Sequence, residues 1–91
     1  MSYHFKDADE RLKLAVWQKG KMVSTHDEDV YRKDICGSWM QYDQHGKEGD
    51  YGWEIDHINP VANGGSDDLD NLQPLEWRNN RRKGDTYPWS C

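Results

Sequence analysis

The stretch Glu54–Arg82, EIDHINPVANGGSDDLDNLQPLEWRNNRR, followed by Lys83-Gly84-Asp85, decides how the chain is read. Trp53 to Ile58 alternates apolar and polar residues, the pattern of a short strand, and Pro60 stops it. Asn63-Gly64-Gly65-Ser66-Asp67 is a strong turn signal. Leu72-Gln73-Pro74-Leu75 is a second extended piece, and its proline makes it an edge strand at best. Residues 76–83 contain neither Gly nor Pro and read as a helix, with Gly84 at its end. Strand, long loop, short strand and helix form a compact ββα unit. Such a unit presents the end of its first strand to one face of its helix, and the fold class is α+β.

Outward from this segment the signals weaken. Upstream, ADERLKLAVWQKGK reads as a helix capped by Asp7, with Glu10 at the capping-box position and Gly20 as its stop. Leu12, Ala15 and Val16 share one face, with Trp17 near its edge. Residues 21–30 read as a connector and 43–52 as a loop. Tyr31 to Tyr42 alternates weakly and is ambiguous, with part of it able to pair as a strand. There is no repeat and no linker, so the expectation is a single domain over 1–91 with its core at 53–85.

A chain of 91 residues has a thin core, but five Trp and five Tyr supply large buried area per residue. No apolar run approaches the ~20 residues needed to span a membrane, and the N-terminus MSYHFKDADE has no signal-peptide pattern. Cys36 and Cys91 can pair, yet two cysteines are no disulfide framework. A reducing cytosol is the simpler reading, so the expected location is cytoplasmic. The net charge of −5 argues against a nucleic-acid partner until its distribution is considered. Residues 1–34 sum to zero, 35–76 to −8 and 77–91 to +3, the last from Arg78, Arg81, Arg82 and Lys83 against Asp85. An acidic middle beside a basic helix fits a cation site next to a phosphate site, although a charge run alone is usually a solvated face.

The chemistry-bearing residues are Asp56-His57, Asn71 after 14 residues, Asn80 after 9 more, and Lys83. Asn80 and Lys83, three apart, are neighbours on one helix face. Asp56 and His57 leave a regular strand on opposite faces, so both serve one centre only if the strand ends or bulges there. Phosphodiester hydrolysis needs a base for the attacking water, a cation against the developing charge and donors for the phosphate. His57 suits the base near neutral pH. Asp56 and Asn80 offer oxygen, the ligand set of Mg²⁺ or Mn²⁺. Lys83, with Arg81 or Arg82, suits the phosphate. Taken singly, an Asp-His pair, an Asn in a turn and a Lys at a helix end are ordinary structural features.

Together they resemble the HNH endonuclease motif, the ββα-metal nuclease fold. Asp56-His57-Ile58 followed by Pro60 is similar to the family's first-strand signature, and Asn71-Leu72-Gln73 to its central Asn. Asn80 stands at the third motif position and Lys83-Gly84-Asp85 at the usual continuation. The spacing also resembles that of the HNH domain of RNA-guided CRISPR nucleases. The resemblance implies a metal-dependent DNA endonuclease leaving 5′-phosphate and 3′-hydroxyl ends. It implies His57 as base, Asp56 and Asn80 on the metal, Lys83 on the phosphate and Asn71 as an orienting residue. Asn79 competes for the ligand position, and the nine-residue step from Asn71 favours Asn80. Many relatives carry a structural zinc on two CxxC pairs. The matching positions here are Cys36 and Trp39, then Glu76 and Asn79, so three of four ligands are missing. The expectation is no structural zinc, with Trp39, Trp53 and Trp77 filling its place.

The expected substrate is duplex DNA, nicked by a monomer and held through Arg78, Arg81, Arg82 and Lys83; the segment does not separate DNA from RNA. Two other classes stay open. One is a non-catalytic nucleic-acid-binding module that keeps the fold, and the other is a toxin-type nuclease domain with a protein inhibitor.

Overall fold

The computed structural model describes residues 9–91. Helix α1 spans Glu10–Trp17 and is capped by Asp9, whose carboxylate accepts from the Arg11 N–H at 2.9 Å. Asp7, the expected cap, lies outside the described residues. With Asp9 as the cap, Glu10 is the first helical residue and so does not stand at the capping-box position. Its carboxylate takes Lys13 at 3.0 Å and the Tyr42 hydroxyl at 3.0 Å instead. The helix ends at Trp17, before Gly20, because the Gly20 N–H already bonds the Trp17 carbonyl in a tight turn.

The ambiguous stretch resolves into a hairpin. Strands β1 (Tyr31–Lys33) and β2 (Trp39–Gln41) pair antiparallel with Arg32 opposite Met40. Asp34 makes the reversal. Its Oδ1 accepts from the backbone N–H groups of Cys36 and Ser38, both at 2.9 Å, and Gly37 supplies a φ of 82°.

The second unit is the ββα motif. Strands β3 (Trp53–His57) and β4 (Leu72–Glu76) pair antiparallel along their full length, with Ile55 opposite Pro74 and Asp56 opposite Gln73. A two-stranded ribbon leaves one edge of each strand without a partner, so the missing proline N–H is tolerated. Helix α2 (Trp77–Lys83) follows at once. Glu76 caps it by accepting from the N–H groups of Arg78 and Asn79, and Gly84 ends it.

The core is small and aromatic. Val16, Trp17, Met40, Trp53, Ile55 and Leu72 are buried together, with Leu12 and Tyr42 against them. Trp17 and Trp53 rings lie 5.1 Å apart, and each indole N–H has a carbonyl partner, Glu28 for Trp17 and Tyr42 for Trp53. These indoles tie α1 and the hairpin to β3, the strand that carries the candidate site. Burial and the bond to Glu10 push the Tyr42 hydroxyl up to about 12.

The cysteines, read from sequence as reduced thiols, are joined. Cys36 in the hairpin turn bonds Cys91, with Cα atoms 5.5 Å apart. Beyond Gly84 the chain returns toward the hairpin turn, and a separation of 55 residues gave no local sign of it.

Candidate active site

Alternation along β3 sends Glu54 and Asp56 to one face and Ile55 and His57 to the other. The first face meets α2. Asn80 Nδ2 donates to Glu54 Oε1 at 2.6 Å, and Lys83 Nζ lies 3.3 Å from Asp56 Oδ1. Lys83 Nζ also donates to the His57 carbonyl at 2.8 Å, so one ammonium touches both members of the Asp-His pair. Gln73, opposite Asp56 in the ribbon, donates from Nε2 to Asp56 Oδ2 at 3.0 Å. Asp56, His57 and Lys83 are all at most 2% exposed.

His57 is the last residue of β3, where the loop begins. Its ring meets that loop, with Nε2 2.7 Å from Asp67 Oδ1. Asn71 shapes the loop. Its Oδ1 accepts from the Asn59 N–H at 2.9 Å, and its Nδ2 donates to the carbonyls of Asn59 at 3.0 Å and Ser66 at 2.7 Å. Its own carbonyl accepts from the Ile58 N–H at 2.8 Å. Gly65 is required inside this clamp, since a Cβ there would stand 1.7 Å from the Asn59 carbonyl oxygen. Asn71 thus fixes both ends of the turn between His57 and Asp67.

The two neighbouring asparagines of α2 face different partners. Asn79 is fully buried and turns to the hairpin, where Nδ2 donates to Asp34 Oδ2 at 2.8 Å and Ser38 Oγ at 2.9 Å. Asp34 Oδ2 also accepts from the Glu76 N–H at 3.0 Å. This polar network joins the hairpin turn to α2, and of the three expected tryptophans Trp39 lines the pocket beside Ser38, Glu76 and Asn79. Trp53 belongs to the core. Trp39 lies on the outer ribbon, 4.5 Å from the His26 ring. Trp77 lies under the guanidinium groups of Arg78 and Arg81.

The basic helix is less basic than its sequence. Arg78 pairs with Glu76 at 2.9 Å, Arg81 with Glu48, and Arg82 donates to Asn79 Oδ1. The bond to Glu48 makes Arg81 hold its proton more tightly than usual. All four expected phosphate-binding side chains therefore already hold a protein acceptor, Lys83 through Asp56 and the His57 carbonyl, and loop 48–50 contributes Glu48 to Arg81 and Asp50 to Arg78 at 4.0 Å.

Among the described residues no group of three or more His, Cys, Asp and Glu side chains is gathered as a metal site. The α2-facing side of β3 instead offers two carboxylates and one carboxamide, from Glu54, Asp56 and Asn80. That all-oxygen set fits a hard divalent cation that keeps several waters. Lys83, seated on Asp56, shows that this carboxylate already accepts a positive partner there. Sequence reasoning missed Glu54, Asp67, Gln73 and Asp34. The first stands two residues before Asp56 on the same strand face, a legible signal; the others depend on loop and cross-strand contacts.

A family model described as HNH endonuclease matches residues 36–86. No curated protein and no solved structure matches the chain.

Proposed function

Since the chain belongs to the HNH endonuclease family, we propose that it hydrolyses DNA phosphodiester bonds with one divalent cation, Mg²⁺ or Mn²⁺, and nicks duplex DNA as a monomer. The observation that carries this reading is the convergence at the end of β3. Asp56 and the His57 carbonyl share Lys83 on the α2 side, while the His57 ring is held by Asp67 on the loop side.

The ring contact selects the tautomer. Asp67 at 2.7 Å takes the Nε2 proton as its hydrogen-bond donor, so the neutral ring carries its lone pair on Nδ1. His57, whose ring is buried in this structure, is assigned as the base that takes a proton from the attacking water, and the Asp67 carboxylate stabilises the imidazolium that forms. Asn71 keeps His57 and Asp67 in register by fixing the turn between them. Asp56 and Asn80 would hold the cation, with Glu54 orienting the Asn80 amide through its 2.6 Å bond. When bound, the cation supplies positive charge against the charge developing on the phosphoryl oxygens. Lys83 offers its ammonium to a phosphate oxygen next to Asp56.

Incubation of supercoiled plasmid with the pure protein and a panel of divalent metals tests the proposal. Open circle is expected well before linear product, with Mg²⁺ or Mn²⁺ and not with EDTA. DNA binding without conversion under any metal refutes the enzyme reading. Concerted linearisation with a dimer mass by light scattering refutes the nicking monomer.

A further inference from the structure

We propose that the cavity beneath the C-terminal segment takes an unpaired nucleobase of the substrate strand, beside the phosphate held at Lys83. The inference rests on the nuclease reading above and names the substrate feature that its site recognises. The cavity measures about 340 Å³ and is lined by Ile35, Ile58, Gln73, Lys83, Tyr87 and Trp89, among others. Two of these residues connect it to the candidate centre, since Gln73 and Lys83 each bond Asp56. The remaining four are apolar or aromatic.

The aromatic pair lies outside the core. Neither Tyr87 nor Trp89 belongs to the buried core, and Tyr87 is 50% exposed. The segment that carries them is fixed by a covalent bond, Cys36–Cys91, at the edge of the same cavity. Side chains kept out of the core, yet tethered in place, form a wall against which something flat can stack. The floor is lined by Lys83 and Gln73, whose ammonium and amide are shared with Asp56. A flat heteroaromatic ring with carbonyl acceptors on its edge matches wall and floor together, whereas an alkyl chain matches the wall alone. Nucleobases have that character, and the Lys83 side chain that lines the cavity is the one assigned above to the phosphate. A paired base keeps its faces in the duplex stack, so the cavity takes a base that is single-stranded or extruded.

Binding is measured in EDTA, where no cleavage occurs, by fluorescence anisotropy of a short labelled single-stranded DNA. Trp89→Ala weakens binding roughly 5- to 150-fold, the usual worth of one base–aromatic stack. Trp89→Phe retains most of it, and Trp89→Leu, which fills space without a π face, does not. Cys91→Ser lowers affinity in the same direction by releasing the tether, and circular dichroism checks that each variant is folded. An abasic nucleoside walked along the strand identifies one position whose loss weakens wild type and leaves Trp89→Ala unaffected. If Trp89→Leu binds as tightly as wild type, or no abasic position discriminates, the cavity holds no base. The two readings fail separately. A protein that cuts plasmid but ignores Trp89→Ala keeps the nuclease and loses the cavity. One that cuts nothing yet shows the abasic signature loses the nuclease and keeps the cavity.

Discussion

The Asp67 carboxylate closes on the His57 ring across ten residues of chain, Oδ1 to Nε2 at 2.7 Å, although Asp67 itself is 68% exposed and the ring is buried. A surface loop thus reaches in to orient a buried imidazole. Replacing His57 by Ala should lower turnover roughly 10²–10⁴-fold with the fold intact, the usual worth of a positioned general base. Asp67→Asn should act through His57 and cost less, on the order of 10–100-fold, as outer-shell partners of functional histidines do. Single-turnover conversion of supercoiled plasmid to open circle measures both. A folded His57→Ala protein with unchanged turnover removes the base assignment.

The adjacent asparagines should fail in different ways. Asn80→Ala and Asp56→Ala should abolish or strongly weaken the metal response of cleavage. Asn79→Ala should leave that response in place and lower stability, because it strips Asp34 of a buried donor. A hydrogen bond to a charged group is worth about 2 kcal/mol, which for a chain of this size lowers Tm on the order of 10 °C. Metal titrations of activity beside thermal melts separate the two. A metal-blind Asn79→Ala beside an active Asn80→Ala would shift the ligand by one position.

Lys83 and Asp56 form a buried pair, 2% and 1% exposed at the side chain. Removing one member of such a pair costs roughly 3–5 kcal/mol, because a buried charge loses its partner. Lys83→Met should therefore melt far below wild type. Adding Asp56→Asn to it should recover much of that stability without restoring cleavage. Urea unfolding of the two singles and the double variant gives the coupling, and additive losses would show that the pair is not coupled.

Chelation should silence cleavage and leave the melting temperature unchanged, since hairpin and α2 are joined by the Asp34, Ser38, Glu76 and Asn79 network. Differential scanning fluorimetry with and without EDTA reads this directly. A large drop would reveal a metal that the fold depends on.

Tyr42 sets a limit at the alkaline end. Burial and the bond to Glu10 push its hydroxyl up to about 12. The unfolded chain releases this proton first, near the ordinary tyrosine value of about 10. The folded state therefore holds more protons between those values, and stability falls as pH rises through that window. Below it the contribution is fully present. Melts across alkaline pH should show the decline in wild type and a shallower one in Tyr42→Phe.

The ββα unit was legible because its punctuation is local. Pro60, the glycines at 64 and 65, and Gly84 mark its breaks. Asp34 was not legible, because its partner Asn79 lies 45 residues away and only the folded chain joins them. The same holds for the charge of α2. The sequence shows a basic run, while Glu48 balances part of it only once the loop before β3 is in place. The N-terminal helix is legible in its apolar face, but Asp7 and Asp9 carry the same local signal, and the helix is capped by Asp9.

The Cys36–Cys91 bond makes a covalent ring of everything from the hairpin turn to the C-terminus, including the whole family match at 36–86. Closing a loop with that separation of 55 residues restricts the unfolded chain by about 4 kcal/mol. The ring also changes what a protease can do. Val61 is half exposed at the tip of the loop after β3, a natural place for a cut. A chain clipped there stays one molecule, its two pieces parting on a gel only after reduction, and the clamp of Asn71 on Asn59 and Ser66 still spans the break.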